Sequence, residues 1–109
     1  MTENEKRGSI RFKPKSGSHI VYPEGSGGIR DLSLSGMYVV DPDPLPEGSG
    51  VSFALRLGIN DIQLHGIVTR SEPGKGMVIQ FTDLSRESTR RLRIYIAGLI
   101  PAPGAAKKH

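Results

Sequence analysis

The chain reads as an all-β protein: a six-stranded antiparallel (split) β-barrel with one C-terminal α-helix. Three observations carry that expectation. Val51, Phe53, Leu55 and Leu57 alternate with Ser52, Ala54 and Arg56, and Met77, Ile79 and Phe81 alternate with Val78, Gln80 and Thr82. This is the period-2 pattern of half-buried strands. Fourteen glycines and eight prolines in 109 residues interrupt the chain too often for long helices and favour short elements joined by tight turns. After Thr82 the period changes: Leu92, Tyr95, Ile96, Leu99 and Ile100 fall at i, i+3, i+4, i+7 and i+8, a helical stripe.

In chain order, residues 1–5 read as a disordered leader, residues 6–100 as one domain and residues 101–109 as a disordered tail. From Phe12 to Tyr22 the chain can extend, with Pro14 making the stretch irregular or an edge. Pro23 to Gly28 is a loop by composition. Ile29 to Leu32 and Met37 to Val40 are short strands flanking Ser33-Leu34-Ser35-Gly36, and Asp41 to Gly50, with three prolines, is a connector. Beyond the Val51–Leu57 strand, Gly58 to Asp61 turn the chain. Ile62, Leu64 and Val68 then share an inner face, with Gly66 a bulge or close-packing point. Pro73 to Gly76 turn it again. Ser85 is the expected N-cap of the helix, with Glu87 in its first turn, and Gly98 followed by Pro101 ends it. No βαβ alternation is present, which argues against a parallel sheet.

Composition excludes several kinds of function. The absence of cysteine removes disulfides, thiolate metal sites and thiol nucleophiles. The three histidines are isolated in sequence: His19 and His65 fall in strands and His109 in the tail. No carboxylate pair, phosphate loop before a helix or serine elbow appears, and Glu24, Glu47, Glu72 and Asp61 read as solvated turn residues, so an enzyme is not expected. The polar start is neither signal peptide nor anchor, and no apolar run approaches the roughly 20 residues of a membrane span. A soluble cytoplasmic protein is expected. Net charge is +4 with a pI near 9.7. The excess gathers in an arm (Lys6, Arg7, Arg11, Lys13, Lys15) and near the C-terminus (Arg86, Arg90, Arg91, Arg93), which favours an anionic partner.

Two short patterns narrow that partner. Arg7-Gly8-Ser9-Ile10-Arg11 reads RxxxR, and Asp31-Leu32-Ser33-Leu34-Ser35-Gly36 reads DxSxxG. RxxxR alone is uninformative, since nine arginines give about 0.7 such pairs by chance. A second one, Arg86 to Arg90, lies on the helix, where the spacing merely puts both residues on one face. DxSxxG is rarer, roughly 0.06 expected, although Asp, Ser and Gly also gather in ordinary turns.

Taken together and in this order, the two patterns resemble the PilZ domain family. Ile29 to Val39 is similar to that family's central strand–turn–strand, and Gly76 to Leu84 to its last strand leading into the helix; the resemblance covers about residues 6 to 98. PilZ domains are receptors for cyclic di-GMP. The resemblance implies that Arg7 and Arg11 are forks for guanine O6 and N7 or for phosphate oxygens, a geometry lysine cannot reproduce. It implies that Asp31 accepts from the guanine edge or holds an arginine, that Ser33 offers a hydroxyl and a neighbouring amide, and that Gly36 lets backbone and ligand approach closely. Lys6, just before the first arginine, bears on whether one or two stacked messenger molecules bind, and a basic residue there favours the pair. Gly8 and Ser9, smaller than is common between the arginines, make the arm looser and its ordering more costly.

The expected mechanism is a disorder-to-order switch, in which the arm from Lys6 to Lys13 folds onto the barrel near Asp31 when ligand binds and a downstream protein, or a second copy of the chain, reads the result. Two other readings compete. One is a PilZ-fold adaptor that binds protein and not nucleotide, against which retention of both motifs argues. The other is a small basic barrel for RNA or single-stranded DNA, for which six aromatics make a thin stacking platform. Motility, pilus assembly, biofilm formation and transcription are all served by this family, and the sequence does not choose among them.

Overall fold

The computed structural model describes residues 10–58 and 60–99. The expected leader, the expected tail, Lys6, Arg7, Ile100 and His109 lie outside the described residues. Among the described residues, six strands and one helix follow in order: β1 (His19–Tyr22), β2 (Gly25–Leu32), β3 (Gly36–Val40), β4 (Gly50–Leu57), β5 (Asn60–Glu72), β6 (Gly76–Thr82) and α1 (Arg86–Ala97). The strands close into an antiparallel barrel in the order β1-β2-β3-β6-β5-β4, with β4 returning to pair with β1 through Ile20↔Leu55. The fold class expected from the alternating pattern is the one observed.

The alternation is a register of burial. In β4, Val51, Phe53, Leu55 and Leu57 face the core, while Ser52 and Arg56 face out. Ile62, Leu64 and Val68 of β5 and Met77, Ile79 and Phe81 of β6 join them, with Phe53 and Phe81 packing at a ring separation of 6.1 Å. The helix covers this core with Leu92 and Ile96, and Tyr95 and Leu99 pack at its edge. Its start is the one expected: Ser85 Oγ accepts from the Ser88 amide at 3.0 Å. Gly98 ends it, its N–H turned back to the carbonyls of Tyr95 and Ile96.

Two local readings are corrected, the loop at Gly25 to Gly28 and the turn at Asn60 and Asp61, and two open ones are resolved. Gly25 to Gly28 is strand, not loop, paired with β1 from Tyr22↔Gly25 to His19↔Gly28. Gly27 serves close packing, since a Cβ there would lie 2.6 Å from the Val40 carbonyl oxygen. The Phe12–Tyr22 stretch forms only an isolated bridge at Phe12 before β1 begins at His19. Asn60 and Asp61 already belong to β5, where Asp61 pairs with Arg56 across the hairpin. Gly66 is a close-packing point, its absent side chain making room for Ile79 and the Gln80 carbonyl. The bulge in β5 falls later, between Val68 and Arg70.

Candidate functional site

The turn between β2 and β3 is organised by Ser33. Its hydroxyl accepts from the amides of Ser35 and Gly36 and donates to the Gly36 carbonyl, each at 3.1 Å, while its own amide donates to that carbonyl at 2.8 Å. A hydroxyl has one proton and two lone pairs, so this side chain is saturated within its own turn. It is buried, and its hydrogen bonds give the site a fixed turn shape. Gly36 is likewise set by packing: a Cβ would lie 2.4 Å from the Ile79 carbonyl oxygen of β6. The close approach is between strands.

Asp31 is the penultimate residue of β2, just before this turn, and is 8% exposed. A carboxylate so buried must be paired, and both oxygens are. Arg11 Nη1 reaches Oδ1 at 2.5 Å, and Arg30 Nε reaches Oδ2 at 3.0 Å. The first contact spans twenty residues of sequence. It is held by Phe12, whose amide donates to the Leu32 carbonyl at 2.7 Å and whose carbonyl accepts from the Leu32 amide at 2.9 Å. The Phe12 ring packs against the core. Arg11 and Phe12, at the inner end of the arm, are therefore docked on the barrel. A paired backbone bridge, an apolar anchor and an ion pair hold this end of it.

Beyond Phe12 the arm turns back. The Lys15 amide donates to the Tyr95 hydroxyl at 3.0 Å, and Ser18 Oγ lies 3.0 Å from the same oxygen. Between this segment and β2 lies a cleft of about 560 Å³, walled by Lys13, Lys15, Ile29, Arg30 and Asp31. That is within the usual range for small-molecule sites. Its charge is net cationic, because Asp31 is matched by two arginines and Lys13 and Lys15 add to them.

Sequence reasoning assigned no role to Arg30, Tyr38 or Glu72, which form a continuous outer-face array beside the cleft. In the β2–β3 register, Ile29 pairs with Val39 and Asp31 with Tyr38, leaving Arg30 as the extra residue of a β-bulge. The bulge carries its guanidinium over the Tyr38 ring, 3.8 Å from the centroid. The ring passes over Gly76, where a Cβ would sit 2.8 Å from Tyr38 Cε1. Its hydroxyl donates to Glu72 Oε1 at 2.5 Å. Glu72 is thus not a solvated turn residue. The hydrogen bond from Tyr38, helped by Arg70 at 3.4 Å, holds its carboxyl below the usual range, and the same bond holds the Tyr38 phenol above its own. Arg30 and Tyr38 are both in the strand–turn–strand segment that carries the family resemblance, but only the bulge, which no sequence signal marks, puts one on the other.

The remaining candidates fall elsewhere. His19 Nδ1 contacts the Gly17 carbonyl at 3.0 Å and His65 Nδ1 contacts Ser52 Oγ at 2.8 Å, each a local contact. Among the described residues, no group of three or more His, Asp or Glu gathers to hold a metal, and no helix is long and apolar enough to cross a membrane.

Comparison with known proteins bears on this arrangement. No curated protein matches the sequence. Two crystal structures share the fold. An uncharacterized Legionella protein is 22% identical, with a TM-score of 0.59 over 78% of this chain and 87% of that one. The PilZ domain of CeSA, from a cellulose-synthesizing bacterium, is 20% identical, with a TM-score of 0.53 over 82% of this chain and 90% of that one. The PilZ domain family model matches residues 4–98, through both motifs and the whole barrel, and the chain belongs to that family.

Proposed function

We propose that this PilZ domain is a cytoplasmic receptor for cyclic di-GMP and carries no catalytic activity of its own. The observation that supports this best is Asp31: a buried carboxylate, clasped by an arginine from the arm and one from its own strand, on the wall of a cationic cleft. Cyclic di-GMP carries two phosphodiesters and two guanines. Arginine forks suit both kinds of group, and an ordered carboxylate suits the guanine Watson–Crick edge. In this reading Arg7 and Arg11 clamp the ligand, Asp31 orients Arg11 or accepts from guanine, and Ser33 and Gly36 act by shaping the turn. Lys6 adds charge where a second messenger molecule would stack. The switch is the drawing of Lys6 and Arg7 to the cleft, with the bridge at Phe12 as its hinge, and a downstream protein or a second copy reads the closed arm.

Calorimetric titration with cyclic di-GMP, with GTP and linear pGpG as controls, tests the proposal. Saturable binding is expected for the cyclic dinucleotide alone. Arg7→Ala, Arg11→Ala or Asp31→Ala should weaken it about tenfold or more, given about 1–3 kcal/mol per bidentate contact. Arg90→Ala, on the exposed face of α1, should leave it unchanged. The adaptor reading draws on a different feature, a groove of about 220 Å³ between α1 and the barrel at Leu57, Ile62, Ile94 and Tyr95. Absence of any heat with cyclic di-GMP would favour it.

A further inference from the structure

We infer that Arg30, which lies outside both motifs, is a stacking platform for one base of the bound dinucleotide; this rests on the receptor reading above. Four features converge on it. The bulge between Ile29 and Asp31 removes Arg30 from the ladder and re-aims it. Its guanidinium lies over the Tyr38 ring, 3.8 Å from the centroid, so the protein's own packing orients it. Its side chain is nonetheless 61% exposed, and it lines the 560 Å³ cleft. Its Nε is tied to Asp31, the residue to which Arg11 is also bound, so the plane has a defined position relative to the motif carboxylate.

A guanidinium with one face on an aromatic ring and the other open presents a flat, weakly hydrated cation, and nucleobases stack on such planes. Tyr38 is the positioning residue: its ring cannot slide, because Gly76 cradles it and Glu72 holds its hydroxyl. The result is a layered order of Tyr38 ring, Arg30 guanidinium and ligand base. Prior ordering lowers the entropic cost of assembling the stack. A lysine at position 30 would keep the charge and lose the plane.

The test uses the full chain titrated with cyclic di-GMP in parallel for the unaltered protein, Arg30→Lys, Arg30→Ala and Tyr38→Leu, with thermal melts to verify folding. Arg30→Lys should weaken binding about tenfold, nearly as much as Arg30→Ala, at an unchanged melting temperature. Tyr38→Leu, which leaves the Arg30–Asp31 pair in place, should weaken it severalfold. The near-ultraviolet dichroism of the bound guanines supplies a readout that charge alone does not move. With no tryptophan and only three tyrosines the protein's own signal is small, and the guanine band should collapse in Arg30→Lys. Wild-type affinity and an intact guanine band in Arg30→Lys would overturn the platform and leave the receptor reading standing. Failure of the unaltered protein to bind would overturn both.

Discussion

Tyr38 and Glu72 show how a single hydrogen bond sets two protonation states. Glu72 sits below its ordinary carboxylate value, so the folded state resists protonating it and its contribution is complete above that value. As pH falls below about 4.3 and through the lowered value, that contribution is lost. Tyr38 is raised, so its contribution is complete below about pH 10 and is lost as pH climbs through the raised value. Glu72 is partly exposed, which keeps the effect small. Glu72→Gln should flatten the acid limb of a plot of urea midpoint against pH and leave the neutral plateau little changed. Ser33 predicts a larger loss. Replacing it by alanine leaves the amides of Ser35 and Gly36 without their shared acceptor. A cost of about 1–3 kcal/mol is expected in denaturant unfolding.

At the level of elements, the alternating strands β4 and β6 and the capped helix were legible because each depends on a periodic or local signal. The glycine-rich hairpin of β1 and β2 was not. Gly25 to Gly28 looked like a loop because glycine marks both turns and close backbone approach, and composition does not separate the two uses. Substitution does. Gly36→Ala pushes a methyl group against the Ile79 carbonyl, which is backbone and cannot yield, so about 1–3 kcal/mol of destabilisation is expected. Gly28→Ala meets nothing within 4 Å and should change the free energy of unfolding, read from denaturant titration, by less than about 0.5 kcal/mol. The site was half legible for a related reason. Arg11 and Asp31 belong to a spaced pattern, whereas the bulge that sets Arg30 over Tyr38 is a matter of register, visible only once β2 and β3 are paired.

For the molecule as a whole, closure of β4 onto β1 leaves one barrel interior, and α1 seals it with Leu92 and Ile96. Leu92 is wholly buried, so Leu92→Ala should cost about 2–5 kcal/mol in equilibrium unfolding. The same helix meets the arm through the Tyr95 hydroxyl, which receives the Lys15 amide and lies against Ser18. That phenol ties the segment beside the cleft to the last turns of the helix through a single oxygen atom. Tyr95→Phe removes that oxygen and keeps the ring, so the Lys15 amide should exchange its hydrogen faster.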